Sequence, residues 1–124
     1  MNEDDLEQLA LAWFERLGYG VAHGPDLAPG GPHEERAQPQ DVILWGRFEA
    51  ALARINHGAS ASMLDDAKRV FVRRLGDEQN LAKANEVFQK MLIEGVMVED
   101  RRGGESRTVP LRFVDREHPE RNDW

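Results

Sequence analysis

Residues 111–124 read LRFVDREHPERNDW. Leu111 and Phe113 alternate with Arg112, the period of a strand with one buried face. From Asp115 the stretch turns into a charged run broken by Pro119, and it closes on the aromatic Trp124. A strand that passes into charge without a turn or cap predicts the opening of a larger domain whose next strands lie beyond Trp124. The upstream sequence then reads as a helical prelude to this point.

Immediately before it, residues 96–115 keep the period of two. Val96 and Val98 alternate with Met97 and Glu99, Gly103-Gly104 supplies a turn, and Val109, Leu111 and Phe113 alternate on the return. The pattern predicts a β-hairpin, with Pro110 marking an edge position. Before residue 96 the period becomes helical. Leu81, Ala84, Phe88, Met91 and Leu92 predict a helix over 78–94, closed by Gly95. Leu64, Ala67, Val70, Phe71 and Leu75 predict another, closed by Gly76 and capped by Ser60 or Ser62, with Ser62 and Asp65 resembling a capping box. Leu44, Phe48, Ala51, Leu52 and Ile55 predict a third, ended by Asn56-His57-Gly58, while Asp41–Trp45 reads equally as a short strand or a helix start. Trp45 lies off the apolar stripe, which leaves it exposed or packed on the expected further strands.

At the N-terminus, Leu6, Leu9, Ala10, Trp13, Phe14 and Leu17 share one face of a helix over 2–17. Asn2 is its expected N-cap, and Glu3, Asp4 and Asp5 place negative charge at the positive end of the helix dipole. Gly18 stands where a left-handed residue follows a helix. Tyr19–His23 reads as a short strand or extended exit. Residues 24–40 hold four prolines and three glycines and read as one long loop. The fold class is α+β, mainly helical with about four helices followed by a C-terminal hairpin. Residues 1–124 form one domain, the N-terminal part of a larger one.

Composition narrows the function. A chain of 124 residues suffices for one small core. It has no cysteine, which excludes disulfides, cysteine-ligated zinc and a cysteine nucleophile. No run approaches the roughly 20 apolar residues that span a bilayer, so no membrane is expected and the expected location is cytoplasmic. The net charge of −7 is uneven: residues 1–41 carry nine acids and two arginines, whereas residues 101–124 carry six arginines and five acids. An acidic surface repels a phosphate backbone, so any DNA contact falls to the C-terminal third or to chain beyond it.

Few residues form a chemical constellation. Pro25-Asp26 and Asp66-Ala67-Lys68 match the text of a PD-(D/E)xK nuclease motif, in which two carboxylates hold Mg²⁺ and a lysine positions the attacking water. The chemistry requires adjacent strands, whereas here one aspartate falls in a loop and the other on a helix, so the match reads as coincidence. His23, His33, His57 and His118 are scattered, with no pair at the i, i+3 or i, i+4 spacing that brings ligands together. Glu7 sits on the flank of the first helix's apolar face, about 100° from Leu6, where a carboxylate can reach a site at the edge of a core; the plain alternative is a boundary glutamate. Arg101, Arg102, Arg107 and Arg112 are candidate phosphate contacts; the plain alternative is a solvated hairpin balanced by nearby acids.

Taken together, DLEQLALAWFERLGYGVAHGPDLAPGGP, VILWGRFEAALARIN, LIEGVMVEDRR and LRFVDREHPERNDW resemble the N-terminal segment of type I restriction enzyme R subunits (HsdR). The resemblance covers almost the whole chain, in order. It implies the helical N-terminal part of a restriction-endonuclease-like domain, whose catalytic aspartate, E-x-K and Q-x-x-x-Y come after the position of Trp124. It implies Mg²⁺ and ATP for the parent protein, but no cofactor in this chain, and as partners the rest of the R subunit, other restriction-complex subunits, and DNA only in the parent's context. Glu7 is the one residue to which it lends a catalytic role, as a helix acid near the metal. Two functions follow as expectations: a scaffold of the nuclease domain that is inactive alone, or a free-standing acidic interaction module that docks to a restriction complex or another partner.

Overall fold

Asn2 starts the first helix, α1 (Glu3–Arg16), by a reciprocal capping box. Its side-chain oxygen accepts from the Asp5 N–H at 2.8 Å, and the Asp5 carboxylate accepts from the Asn2 N–H at 3.2 Å. Two of the donors that every helix start leaves orphaned are thereby satisfied. At the other end Leu17 caps the helix and Gly18 takes a φ of 93°, the left-handed value expected of it. The computed structural model describes residues 1–123; Trp124, the aromatic that closes the opening stretch, lies outside the described residues. The chain forms two compact units, residues 1–43 and residues 44–124.

The first unit is α1 followed by irregular chain. Phe14 and Tyr19 meet edge-on at 5.6 Å, which turns the chain back after the helix. Tyr19–His23 forms no strand, because among the described residues the one sheet has two strands, both in the second unit, and an extended segment needs a ladder partner. The long loop also contains structure. Gly24–Leu27 makes one helical turn, α2, with Pro25 in its first turn, where a missing N–H costs nothing. His33 and Glu35 then donate back to the carbonyls of Asp26 and Leu27 at 2.8 and 3.0 Å. Gly31 is required by contact: a Cβ there would lie 2.6 Å from the carbonyl oxygens of Pro25 and Asp26. No residue of 1–43 is buried.

The second unit holds the core. Its helices are α3 (Trp45–Ile55), α4 (Ala61–Gly76) and α5 (Leu81–Glu94), followed by a hairpin of β1 (Val96–Asp100) and β2 (Arg107–Leu111). The ambiguous DVILW segment thus resolves as a helix start at Trp45. Phe48, Phe71 and Phe113 form a triangle of rings 5.0–5.8 Å apart, and Phe88 closes on Phe71 at 6.0 Å. Ala51 and Ala67, both fully buried, are small enough to let α3 and α4 approach. Trp45 joins this cluster edge-on, 5.5 Å from Phe48 and 6.5 Å from Phe71, with the Lys68 ammonium 5.2 Å from its ring centre. The tryptophan off the apolar stripe is therefore a half-buried wall of the core.

Several expected details shift. Ser60 caps α4, accepting from the Met63 N–H at 3.3 Å, so Ser62 lies inside the first turn and forms no capping box. The stripe rotates accordingly: Met63, Ala67 and Phe71 are buried, while Leu64, Val70 and Leu75 are half-buried. Asn80 caps α5, accepting from Ala82 and Lys83, so that helix starts three residues later than its periodicity suggests. Leu81 becomes its first residue, before the helix reaches the core, and is 78% exposed. The hairpin forms as expected, with Val96 opposite Leu111 and Val98 opposite Val109. Val96, Val98 and Leu111 are buried, β1 packs on α4, and Met97 is the large apolar residue left on the outer face.

Candidate functional site

The charged side chains of the second unit converge on two buried carboxylates. Asp100 ends β1 with only 4% of its surface exposed, because the period of two points it inward with Val96 and Val98. Arg102 grips it with two guanidinium nitrogens at 3.0 and 3.2 Å and with its own backbone N–H at 3.0 Å; a third guanidinium nitrogen donates to the Gly58 carbonyl at 2.7 Å. Arg107 stands 3.6 Å away on β2. Charge-assisted hydrogen bonds from Arg102 outweigh the cost of burial and lower the Asp100 carboxyl from its ordinary value to about 2.

Asp115, 3% exposed, organises the charged run. One carboxylate oxygen accepts from the backbone N–H groups of Glu117 and His118 at 3.0 Å, and the other lies 3.3 Å from Arg121 and 3.7 Å from the His118 ring. These donors, the His118 N–H foremost, hold its carboxyl below the ordinary range. The Asn122 side chain pairs with the Asp115 backbone in both directions, each bond 2.7 Å. Asp123 is tied to α3: its carbonyl accepts from Arg54 at 3.0 Å, and its carboxylate stands 3.6 Å from Arg47. Asn56 makes the third tie. Its amide donates to the carbonyls of Leu52 and Arg112, at 2.9 and 2.7 Å, and accepts from the Arg112 N–H at 2.8 Å. Residues 111–123 are thus fastened to α3 by Arg47, Arg54 and Asn56.

Between these ties lies a cleft of about 370 Å³, lined by Asn56, His57, Asp100, Arg102 and Arg112 among others. Of the candidate phosphate contacts, Arg102 and Arg107 face Asp100, and Arg101 pairs with Glu99 at 2.8 Å. Arg112 offers its backbone to Asn56 and leaves its guanidinium exposed. Glu7 lies exposed on α1, in the first unit. Of the residues in the textual nuclease match, Asp26 falls in α2; Asp66 pairs with Arg69 at 3.2 Å, and Lys68 bonds Glu49. Among the described residues no group of three or more His, Asp or Glu side chains could hold a metal ion, and no helix is long and apolar enough to cross a membrane. The signal for Asp100 and Asn56 was present in the sequence only as an inward position on a strand and a helix-ending Asn; neither discloses the distant partner that gives it a role.

Comparison with known proteins bears on what this arrangement serves. The chain is 30% identical over 126 residues to a protein of Methanocaldococcus jannaschii provisionally named the endonuclease subunit of type I restriction enzyme MjaIXP, a match covering all of this chain and 12% of that protein. It is 30% identical over 118 residues to the type I restriction enzyme HindI endonuclease subunit of Haemophilus influenzae, covering 95% of this chain and 11% of that subunit. The chain therefore spans about an eighth of the length of these relatives. No solved structure matches. The family model for the type I restriction enzyme R protein N terminus matches residues 1–124, end to end, and the chain belongs to that family.

Proposed function

We propose that this segment is a structural scaffold of an R subunit's nuclease domain, inactive alone, with the Mg²⁺-dependent cutting and ATP-driven translocation residing in the remainder of the parent protein. One observation carries the reading. Both buried carboxylates, Asp100 and Asp115, are saturated by arginines and backbone N–H groups of the same unit. A carboxylate held in this way positions chain and has little capacity left for a metal ion. The polar residues of the second unit thereby act as braces for residues 111–123. Within the assembled protein, Glu7 supplies a helix acid near the metal, and the exposed Arg101 and Arg112 guanidiniums meet DNA phosphates, with Arg102 and Arg107 reinforcing that edge.

A second reading, an acidic module that docks to other restriction-complex subunits, is favoured by the charge distribution: residues 1–43 carry the entire net charge of −7. Plasmid cleavage with Mg²⁺ and ATP separates the two. The experiment compares the 124-residue chain with a full-length R subunit containing it, each mixed with the other restriction subunits. Cutting by the full-length protein alone, with loss of cutting on Glu7→Gln but normal assembly, supports the scaffold reading. Full cutting after this segment is deleted, with assembly lost, supports docking. Cutting by the 124 residues alone overturns both.

A further inference from the structure

The first unit presents an apolar stripe that nothing in the chain covers. Leu6 is 57% exposed, Trp13 62% and Leu17 74%, with Leu9 and Phe14 also exposed, and α1 contains no buried residue. Single exposed apolar side chains are ordinary, but a contiguous stripe along a capped helix marks an interaction surface. The sequence of the stripe indicates what fits it. At about 100° per residue, Leu6, Ala10, Trp13 and Leu17 run along its middle at the alternating 4 and 3 spacing of a helix–helix seam. Asp5 and Arg16 fall together on one flank, and Glu7 and Phe14 on the other.

The geometry points to a second copy of this chain, its α1 packed antiparallel against the first. In an antiparallel pair the same flank of each helix faces its counterpart, and residues whose numbers sum to a constant lie at equal height. Setting Ala10 opposite Trp13 of the other copy also sets Leu6 opposite Leu17. The bulkiest side chain then meets the smallest, twice by symmetry, as close packing requires. The same register brings Asp5 of each copy within one turn of Arg16 of the other, on the shared flank. It also aligns the helix dipoles head to tail and places Glu7 beside Phe14. A parallel pair does the opposite: it puts Trp13 on Trp13 and sets Asp5 and Glu7 each against its own copy, where like charges repel. The pairing is independent of the scaffold reading, since it involves neither Asp100, Asp115 nor residues 111–123.

The test uses the absence of cysteine from the chain. Leu6 and Leu17 are eleven residues apart on α1, roughly 16 Å at 1.5 Å per residue, too far for a disulfide within one helix. In Leu6→Cys/Leu17→Cys, mild oxidation is expected to give a covalent dimer, whereas Leu6→Cys alone gives none. Sedimentation equilibrium of the unaltered chain at tens of micromolar is expected to show a dimer that Trp13→Glu converts to monomer while helix content stays unchanged. Asp5→Arg is expected to weaken the dimer at least several-fold, and adding Arg16→Asp to restore it; Asn2→Ala serves as a control for the cap that Asp5 also forms. A monomer at that concentration overturns the proposal, as does cross-linking through Leu6→Cys alone or a dimer indifferent to Trp13→Glu.

Discussion

At the scale of single residues, the side chains that matter most are those whose partners lie far along the chain. Asn56 illustrates this. Its amide is engaged as donor and acceptor with the backbone of Arg112, 56 positions away, imitating a strand neighbour for a chain that has left the ladder. Asn56→Ala removes these bonds and leaves the backbone of Arg112 unpaired at the rim of the core. The expected loss is about 1–3 kcal/mol, seen as a lower urea midpoint with an unchanged slope. Asn56 was legible in sequence only as a helix-ending residue, because a long-range tie leaves no local pattern. Asp100 was equally hidden, since the period of two assigns inward positions without regard to polarity. Its consequence is a dependence on pH. Its carboxyl titrates at about 2 in the folded chain, below the ordinary aspartate value near 3.9 of an unfolded one, and that of Asp115 is also lowered. Unfolded chain thus binds protons first as pH falls. The stabilisation is complete above about pH 5 and drains away between roughly pH 4 and 2. Acid titration of the unaltered chain, followed by tryptophan fluorescence, is expected to show that loss. Asp100→Asn is expected to lower stability at neutral pH and to flatten the acid slope; an unchanged slope would remove Asp100 as its source.

Elements were far more legible than residues, and the reason is physical. A helix or hairpin is specified by a repeating choice between apolar and polar, which many residues report together, so α1, α3, α4, α5 and the hairpin all appear where the periods place them. Their ends are specified by one or two side chains, and there the reading slips. Ser60 and Ser62 are both competent caps, and the hydrogen bond from Met63 chooses Ser60. Asn80 stops α5 from reaching back to Glu78, which leaves Leu81 outside the core. Trp45 was misplaced for a related reason: at the first residue of a helix its direction depends on neighbouring rings rather than on the stripe. One junction between elements was legible and is also fragile. Gly95 turns α5 into β1 at a φ of 73°, and a Cβ there would collide with the Leu111 carbonyl oxygen. Gly95→Ala combines a strained dihedral with a clash against backbone that cannot move without breaking the Val96–Leu111 pair. It is expected to cost more than the ~1 kcal/mol of an unstrained glycine substitution, and thermal melting compared with Gly20→Ala, where a Cβ meets open space, isolates the clash.

At the scale of the whole chain, the two units differ in what holds them. Residues 44–124 contain every buried residue and balance fourteen acids with fourteen bases, whereas residues 1–43 contain no buried residue and carry nine acids against two arginines. Opening free energies follow buried apolar contacts, and a 14-residue helix with an excess of acids is marginal when nothing packs on it. The capping box at Asn2 and the acids at the positive end of the dipole lower the cost of forming α1 but supply no burial. Native-state hydrogen exchange therefore gives a direct expectation. Amides of α4 and β1 should exchange only through global unfolding and shift with denaturant accordingly. Amides of α1 should exchange through local opening in dilute chain, at rates nearly independent of denaturant. Raising the chain concentration into the range where α1 pairs is expected to slow α1 exchange selectively, by the factor that dimer formation protects it, and to leave α4 unchanged. Trp13→Glu should abolish that concentration dependence. If α1 were instead as protected as α4 in dilute solution, it would share the core's cooperativity, and the apolar stripe would be covered within a single chain.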